Sequence, residues 1–246
     1  MHTVKYMANE SLHTAFENGS IELKGQFTLG SNYTFYATVT YRQQEIQAVY
    51  KPQQGEQPLW DFPENSLAGR EVAAYLVSEA LGWELVPFTM LREDAPLGPG
   101  SLQQYIEYDP NYHYFNFKPE DKARLRPVAL FDYLTNNADR KGSHVFIEKD
   151  TQHLYAIDHG LCFNAEDKLR TVIWDFAGEP FSPDLLTALE GLRPCLQPSA
   201  GLYTDLLRYL SPNEIAALDL RAETLINLGG FPYPPNNRRA HPYPPL

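Results

Sequence analysis

The spacing of apolar residues changes character along the chain. Three early segments, IELKGQFTL (21–29), YTFYATVTY (33–41) and EIQAVYK (45–51), are rich in β-branched and aromatic residues and partly alternate apolar with polar. Turn formers at Gly30-Ser31-Asn32 and Arg42-Gln43-Gln44 separate them, which predicts an antiparallel meander. The polar residues 1–20 ahead of it read as a helix or an arm. From about residue 65 the period becomes helical: Val72, Tyr75, Leu76 and Leu81 form one stripe, Asn65 or Ser66 is placed to cap it, and Gly82 to stop it. Two more strand-like runs, LVPFTMLRE and SLQQYIEY, flank the turn-rich DAPLGPG.

Beyond residue 108 the pattern is mostly helical. Pro127 suits the first turn of a helix carrying Val128, Leu130, Phe131 and Leu134, and Ser182-Pro183-Asp184 starts another. Ser211-Pro212-Asn213-Glu214 is a capping box with proline at the first helical position, predicting a helix through Leu220. Six prolines between Phe231 and Leu246 predict an extended tail laid over the surface. The expected organisation is a β-rich lobe over 1–108, a helical lobe over 109–230 and a proline-rich tail over 231–246. Strands, one helix, strands and then helices make an α+β chain.

Composition narrows the function classes. Hydrophobic residues make up 43% and charged residues 21% of 246 positions, which suits a globular chain with an ample core. No apolar run approaches the ~18 residues that cross a bilayer, and the first residues lack the apolar region of a signal peptide. Two cysteines, Cys162 and Cys195, make neither a disulfide framework nor a zinc pattern, so a cytoplasmic location is expected. A formal net charge of -11 repels nucleic acid and anionic lipid, and the basic run Lys122–Arg126 reads as a solvated helix face.

The strongest chemical signal is the pair TNNADRKGSHVFI (135–147) and LYAIDHGLCF (154–163). Together they bring Asp139, His144 and Asp158 to strand ends, where ligands converge. Phosphoryl transfer needs such a set: a carboxylate to orient the acceptor hydroxyl and two further ligands for a metal on the phosphates. Asp139-Arg140 could instead be a plain ion pair, and Asp158-His159-Gly160 a turn. Lys51, at the end of a strand, can reach phosphates if an acid holds it, and Glu71 is the available acid; otherwise it is a surface lysine. A metal-dependent hydrolase on Asp139, His144, Asp158 and His159 is a rival reading.

The order Lys51, Glu71, ADRKGSH, IDHG resembles the atypical kinases, namely the phosphatidylinositol 3-/4-kinase-like superfamily and, more distantly, the bacterial HipA-like kinases. VYKPQQGEQPLWDFP, GREVAAYLVSEALGWELVP, LGPGSLQQYIE, NNADRKGSH, IDHGLCF and KLRTVIWDFAG resemble more closely a bacterial family, best known from actinobacteria, that carries the phosphatidylinositol 3-/4-kinase-like label. The likeness spans about residues 20–180. It implies a two-lobed, protein-kinase-like α+β fold and an ATP- and Mg²⁺- or Mn²⁺-dependent transfer to a hydroxyl of a small molecule or protein. It implies roles too: Asp139 as the catalytic-loop aspartate, Asp158 as a metal ligand, Lys51 as the phosphate-binding lysine and Glu71 as its partner. Gln104, Tyr105 and Ile106 match the linker strand whose backbone meets the adenine edge.

Three positions depart from that pattern. His144 stands where the related kinases carry a metal-binding asparagine, and imidazole suits Mn²⁺ better than Mg²⁺. Lys141 replaces the loop histidine and is placed to hold the γ-phosphate. In place of a glycine-rich loop, Gly30-Ser31-Asn32 would cap the phosphates with backbone N–H groups and the Ser31 hydroxyl. These departures leave open a nucleotide-binding regulator without transfer activity. Elsewhere, Trp60 and Phe62 are expected as packed loop anchors, Tyr112–Phe115 as an aromatic patch, and Cys162 as a buried thiol. Arg170 is expected as a phosphate ligand or an ion-pair partner.

Overall fold

Alternation in the first part of the chain becomes a five-stranded antiparallel sheet. A computed structural model of the chain describes residues 9–27 and 32–246. Helix α1 (Asn9–Asn18) precedes strands β1 (Ser20–Gln26), β2 (Phe35–Tyr41) and β3 (Gln44–Pro52), the expected meander. Arg42 and Gln43, both at positive φ, make the two-residue turn whose twist matches the strands it joins. β4 (Thr89–Arg92) and β5 (Gly100–Gln104) complete the sheet in the order β1-β2-β3-β5-β4. β5 is enclosed between β3 and β4, and its residues Gly100–Gln103 are buried, as a central strand requires. Gly100 faces Pro52, and a Cβ there would lie 2.4 Å from the Lys51 carbonyl oxygen, so only glycine lets the two strands close at that point.

Helix α2 (Leu67–Ala80) follows the apolar stripe, and Gly82 ends it at φ +67°. Its cap differs from the expectation. Asn65 sits at φ +58°, and the Ser66 hydroxyl donates to the Pro63 carbonyl. The first N–H groups of the helix, at Leu67 and Ala68, donate instead to the Glu56 carboxylate, at 3.1 and 2.8 Å. An anion suits the positive end of the helix dipole better than a hydroxyl does.

The chain divides into two compact units. One runs through Val72 and includes Phe88–Tyr105; the other comprises Ala73–Pro87 and Ile106–Leu246. In the second, short helix α3 (Pro119–Ala123) leads into α4 (Arg126–Thr135), buried from Val128 onward, with proline in its first turn. Hairpin β6 (Val145–Ile147) and β7 (Leu154–Ala156) follows, then α5 (Pro183–Cys195), α6 (Gly201–Leu206) and α7 (Pro212–Leu228). The capping box forms as read: Ser211 and Glu214 bond reciprocally. α7 continues past the expected Leu220, because Ala222 and Leu225 prolong its buried stripe until Gly229 turns at φ +68°. A single core cluster joins α4, α5 and α7 to the hairpin and to Phe231. Among the described residues no helix is long and apolar enough to cross a membrane.

Candidate active site

In the second unit, the candidate residues are arranged around a guanidinium. Arg140 and Asp132 are both fully buried, with Nε of Arg140 3.0 and 3.2 Å from the two carboxylate oxygens. Arg140 spends its other donors on the carbonyls of His144 (3.1 Å) and Ile157 (2.6 Å) and on Nε2 of His159 (2.7 Å). A guanidinium only donates, so that His159 nitrogen is the acceptor, which assigns the proton of the neutral ring to Nδ1. Asp132 also accepts from the Thr171 hydroxyl (3.0 Å) and the Asn137 amide (3.1 Å). Burial pushes its carboxyl up, and Arg140, Thr171 and Asn137 pull it back toward the charged form.

The segment between α4 and the hairpin is wrapped around this pair. Asn136 ends α4 in the left-handed conformation, and the Asn137 side-chain oxygen accepts from the Asp139 N–H at 2.9 Å. Arg140 then pairs with the segment Arg170–Val172. Its N–H donates to the Arg170 carbonyl (3.0 Å), and its carbonyl accepts from Val172 (3.1 Å). The Ala138 carbonyl and the N–H groups of Asp139 and Arg140 are thereby tied down, while the Asp139 carboxylate stays partly exposed.

That carboxylate lies 3.4 Å from Nζ of Lys141. Partial burial pushes the Asp139 carboxyl up; Lys141 opposes this, the Asp158 charge adds to it, and Arg170 opposes it. Nε2 of His144, largely buried at the end of a 3₁₀ turn (Gly142–His144), is 3.2 Å from Oδ2 of half-exposed Asp158. Asp158 holds φ at +63°, a conformation that costs an ordinary residue about 1–3 kcal/mol and that concentrates at functional sites. Asp139 with Lys141, and His144 with Asp158, are thus brought together as two pairs on neighbouring turns.

In the first unit, Lys51 on β3 pairs with the Glu71 carboxylate, which is 3% exposed. Tyr50 and Pro52, its strand neighbours, are buried on the opposite face. Of the positions expected at an adenine edge, Gln104 donates its N–H to the Phe88 carbonyl (2.8 Å) and Tyr105 to the Gln47 carbonyl (3.0 Å), so those two N–H groups serve the sheet. Ile106 is buried. Ser31 lies outside the described residues.

Several expectations are corrected. The partner of Arg140 is Asp132, not Asp139. Arg170 donates through Nε to the Ala138 carbonyl (2.8 Å), a loop-bracing contact. Trp60 is 89% exposed, whereas Phe62 is buried beneath the Arg70 guanidinium. Cys162 is buried as expected. Asp132 and Thr171 were the residues that sequence reasoning missed. The available signal was an acid inside the otherwise apolar run Val128–Leu134.

Among the described residues no three His, Cys, Asp or Glu side chains form a ligand group. Mg²⁺ in phosphate-handling sites takes one or two carboxylates and completes its shell with phosphate and water, and Mn²⁺ accepts imidazole readily. Asp158 and His144 fit such a partial set.

No family model matches the chain. Protein Rv2133c of Mycobacterium tuberculosis is 38% identical over 267 residues, covering 94% of this chain and 94% of that protein. Among solved structures, the Helicobacter pylori proinflammatory kinase CtkA matches at TM-score 0.53 and 14% identity, over 85% of this chain and 92% of that one. The golgi casein kinase matches at TM-score 0.51 and 15% identity, over 90% and 76%. Hydra Fam20, solved with sugar, matches at TM-score 0.51 and 14% identity, over 91% and 89%. At these identities the likeness establishes the fold: α+β and kinase-like.

Proposed function

We propose that this chain, which belongs to the same family as Protein Rv2133c of Mycobacterium tuberculosis, is an ATP- and divalent-metal-dependent phosphotransferase acting on a hydroxyl acceptor. The observation that carries the proposal is the pairing of Asp139 with Lys141 and of His144 with Asp158 on one braced loop system, within a kinase-like fold.

In the reaction, the acceptor hydroxyl oxygen forms a bond to the γ-phosphorus. The bond from that phosphorus to the bridging oxygen breaks, and ADP leaves with the electron pair. The hydroxyl proton passes to the Asp139 carboxylate. Partial burial supports this role, because a carboxyl pushed up from its ordinary range is a better proton acceptor near neutrality. Lys141 offers an ammonium beside the transferred phosphoryl group, and Lys51, oriented by Glu71, offers another to the nucleotide phosphates. Asp158 and His144 would hold Mg²⁺ or Mn²⁺, which when bound neutralises phosphate charge. Backbone groups from Gln104 to Ile106 would read the adenine, with Ile106 supplying the N–H, and Ser31 would cap the phosphates. The motif likeness to phosphatidylinositol 3-/4-kinase-like and HipA-like kinases supports these roles. The acceptor is a small molecule or a protein; the charge of -11 argues against a nucleic-acid partner, and the free thiols suit the cytoplasm.

The decisive experiment follows the γ-phosphate of labelled ATP with each metal in the wild-type chain and in Asp139→Asn. Metal-dependent turnover that Asp139→Asn abolishes is expected. Binding without turnover would favour the second reading, a nucleotide-binding regulator, which His144 in place of an asparagine makes worth testing. Absence of both would refute the proposal.

A further inference from the structure

Proline-rich segments lack N–H donors but keep their carbonyls, and their fixed φ makes them cheap to order. In this chain the extended segment beyond Arg238 uses carbonyl acceptors at the transfer loop itself. The Ala240 carbonyl accepts from the Thr171 N–H (3.1 Å) and from Nε1 of Trp174 (3.3 Å), and the Pro245 carbonyl accepts from the Gly142 N–H at 2.8 Å. Gly142 is three residues from Asp139 and next to Lys141.

We infer that the segment Arg238–Pro245 is a positioning strap for the transfer loop, and that Arg238 is its anchor; the inference rests on the phosphotransferase reading above. Nη1 of Arg238 donates to the Leu169 carbonyl at 2.6 Å, and its Nε lies 3.2 Å from the Asp167 carboxylate. The strap therefore grips residues 167–174 along the side that does not face the loop. The other side of that stretch holds the loop: the Val172 N–H donates to the Arg140 carbonyl, the Arg140 N–H donates to the Arg170 carbonyl, and Arg170 donates to the carbonyls of Asn137 and Ala138. Three layers result, the loop, the 167–174 stretch and the strap.

Thr171 couples the layers. Its N–H is held by the strap, while its hydroxyl donates to Asp132, the partner of Arg140. Displacing the strap removes the backbone restraint on Thr171 and, at Gly142, a direct restraint on the loop. The Phe115 ring lies against the other side of Gly142, where an added Cβ would come within 2.6 Å of it. The strap also walls a cavity of about 600 Å³, with Pro242, Tyr243 and Pro245 facing Phe115, Lys122 and Val172. The peptide that follows Lys141 is thus held from two sides, beside open space that an acceptor could use.

The full-length protein is compared with Arg238→Ala and Arg238→Lys by residue-resolved amide exchange and by steady-state ATP turnover. Loss of one charged hydrogen bond should speed exchange at Thr171 and Gly142 by about tenfold or more, since exchange tracks the local opening equilibrium. Leu102, in the central strand of the other unit, serves as the unaffected control. Arg238→Ala should lose kcat with the KM for ATP unchanged, and Arg238→Lys should recover most of it. Unaltered exchange and kcat in Arg238→Ala would overturn the strap while leaving the phosphotransferase reading intact. So would parallel changes in kcat, KM and melting temperature that Arg238→Lys fails to reverse, because they indicate a merely structural contact. With no turnover in the wild-type chain, the phosphotransferase reading falls and the strap's role in transfer falls with it.

Discussion

Arg140→Met is the most informative single perturbation, because it removes one partner of a fully buried ion pair and leaves the other in place. Asp132 then keeps only the Thr171 hydroxyl and Asn137 amide as donors, without a compensating charge. Breaking such a pair from one side costs about 3–5 kcal/mol. A chain of this size shifts its Tm by about 2–4 °C per kcal/mol, so a fall of roughly 6–20 °C is expected. Against a total stability of about 5–15 kcal/mol, the variant should fold but be much weakened. Combining Asp132→Leu with Arg140→Met removes the stranded charge and should recover part of the loss. The pH dependence gives an independent check. Without Arg140, burial holds the folded-state pKa of Asp132 above its unfolded value, so the folded state binds the extra proton. Stability linked to that proton is fully present below the unfolded carboxyl pKa and is lost as pH rises through the folded one. The deficit of Arg140→Met should therefore shrink on acidification. Denaturant titrations of wild type, both single variants and the double variant across pH measure this directly. A loss below about 1 kcal/mol, or a deficit that grows as pH falls, would refute the account of Asp132–Arg140 as the buried pivot of the loop.

Three further outcomes bear on the site. ATP with Mg²⁺ or Mn²⁺ should raise the Tm by binding the native state, and Lys51→Ala should shrink that rise, as thermal-shift titrations would show. Asp158→Asn should lose metal-dependent nucleotide binding while Asp139→Asn keeps it and loses kcat, and His144→Asn should move metal preference from Mn²⁺ toward Mg²⁺; an unchanged preference with activity intact would remove His144 from the ligand set. The acid limb of the kcat–pH profile should lie above the ordinary carboxylate range, because burial raises Asp139. Lys141 opposes that rise, so Lys141→Gln should move the limb to higher pH, and a move to lower pH would be inconsistent with Asp139 as the proton acceptor.

What the sequence made legible follows the range of the interactions involved. The strands of the meander, the stripe of α2 and the Ser211 capping box depend on neighbours within a turn or a pleat, and they were readable from spacing alone. The cap of α2 was not, because the anion that meets it, Glu56, arrives from eleven residues upstream of Leu67. The same limit explains the loop. Asp139, His144 and Asp158 stood out because their types and order suggest chemistry, but the residue that braces them could not be named. Asp132 shares a buried helix with apolar neighbours, and only the fold shows that Arg140 is the cation it meets. Buried charge is expensive unless paired, so an acid in an apolar helical run implies a cation from elsewhere in the chain. Arg140 could be read as that cation only by giving up the local pairing with Asp139. The tail poses the converse case. Its prolines announce an extended, donor-poor segment, yet the contacts that matter are made by carbonyls, which every residue carries and no composition can distinguish. Arg238 was the one side chain there able to signal a docked position, since a guanidinium held between a carboxylate and a backbone carbonyl specifies where its segment must lie.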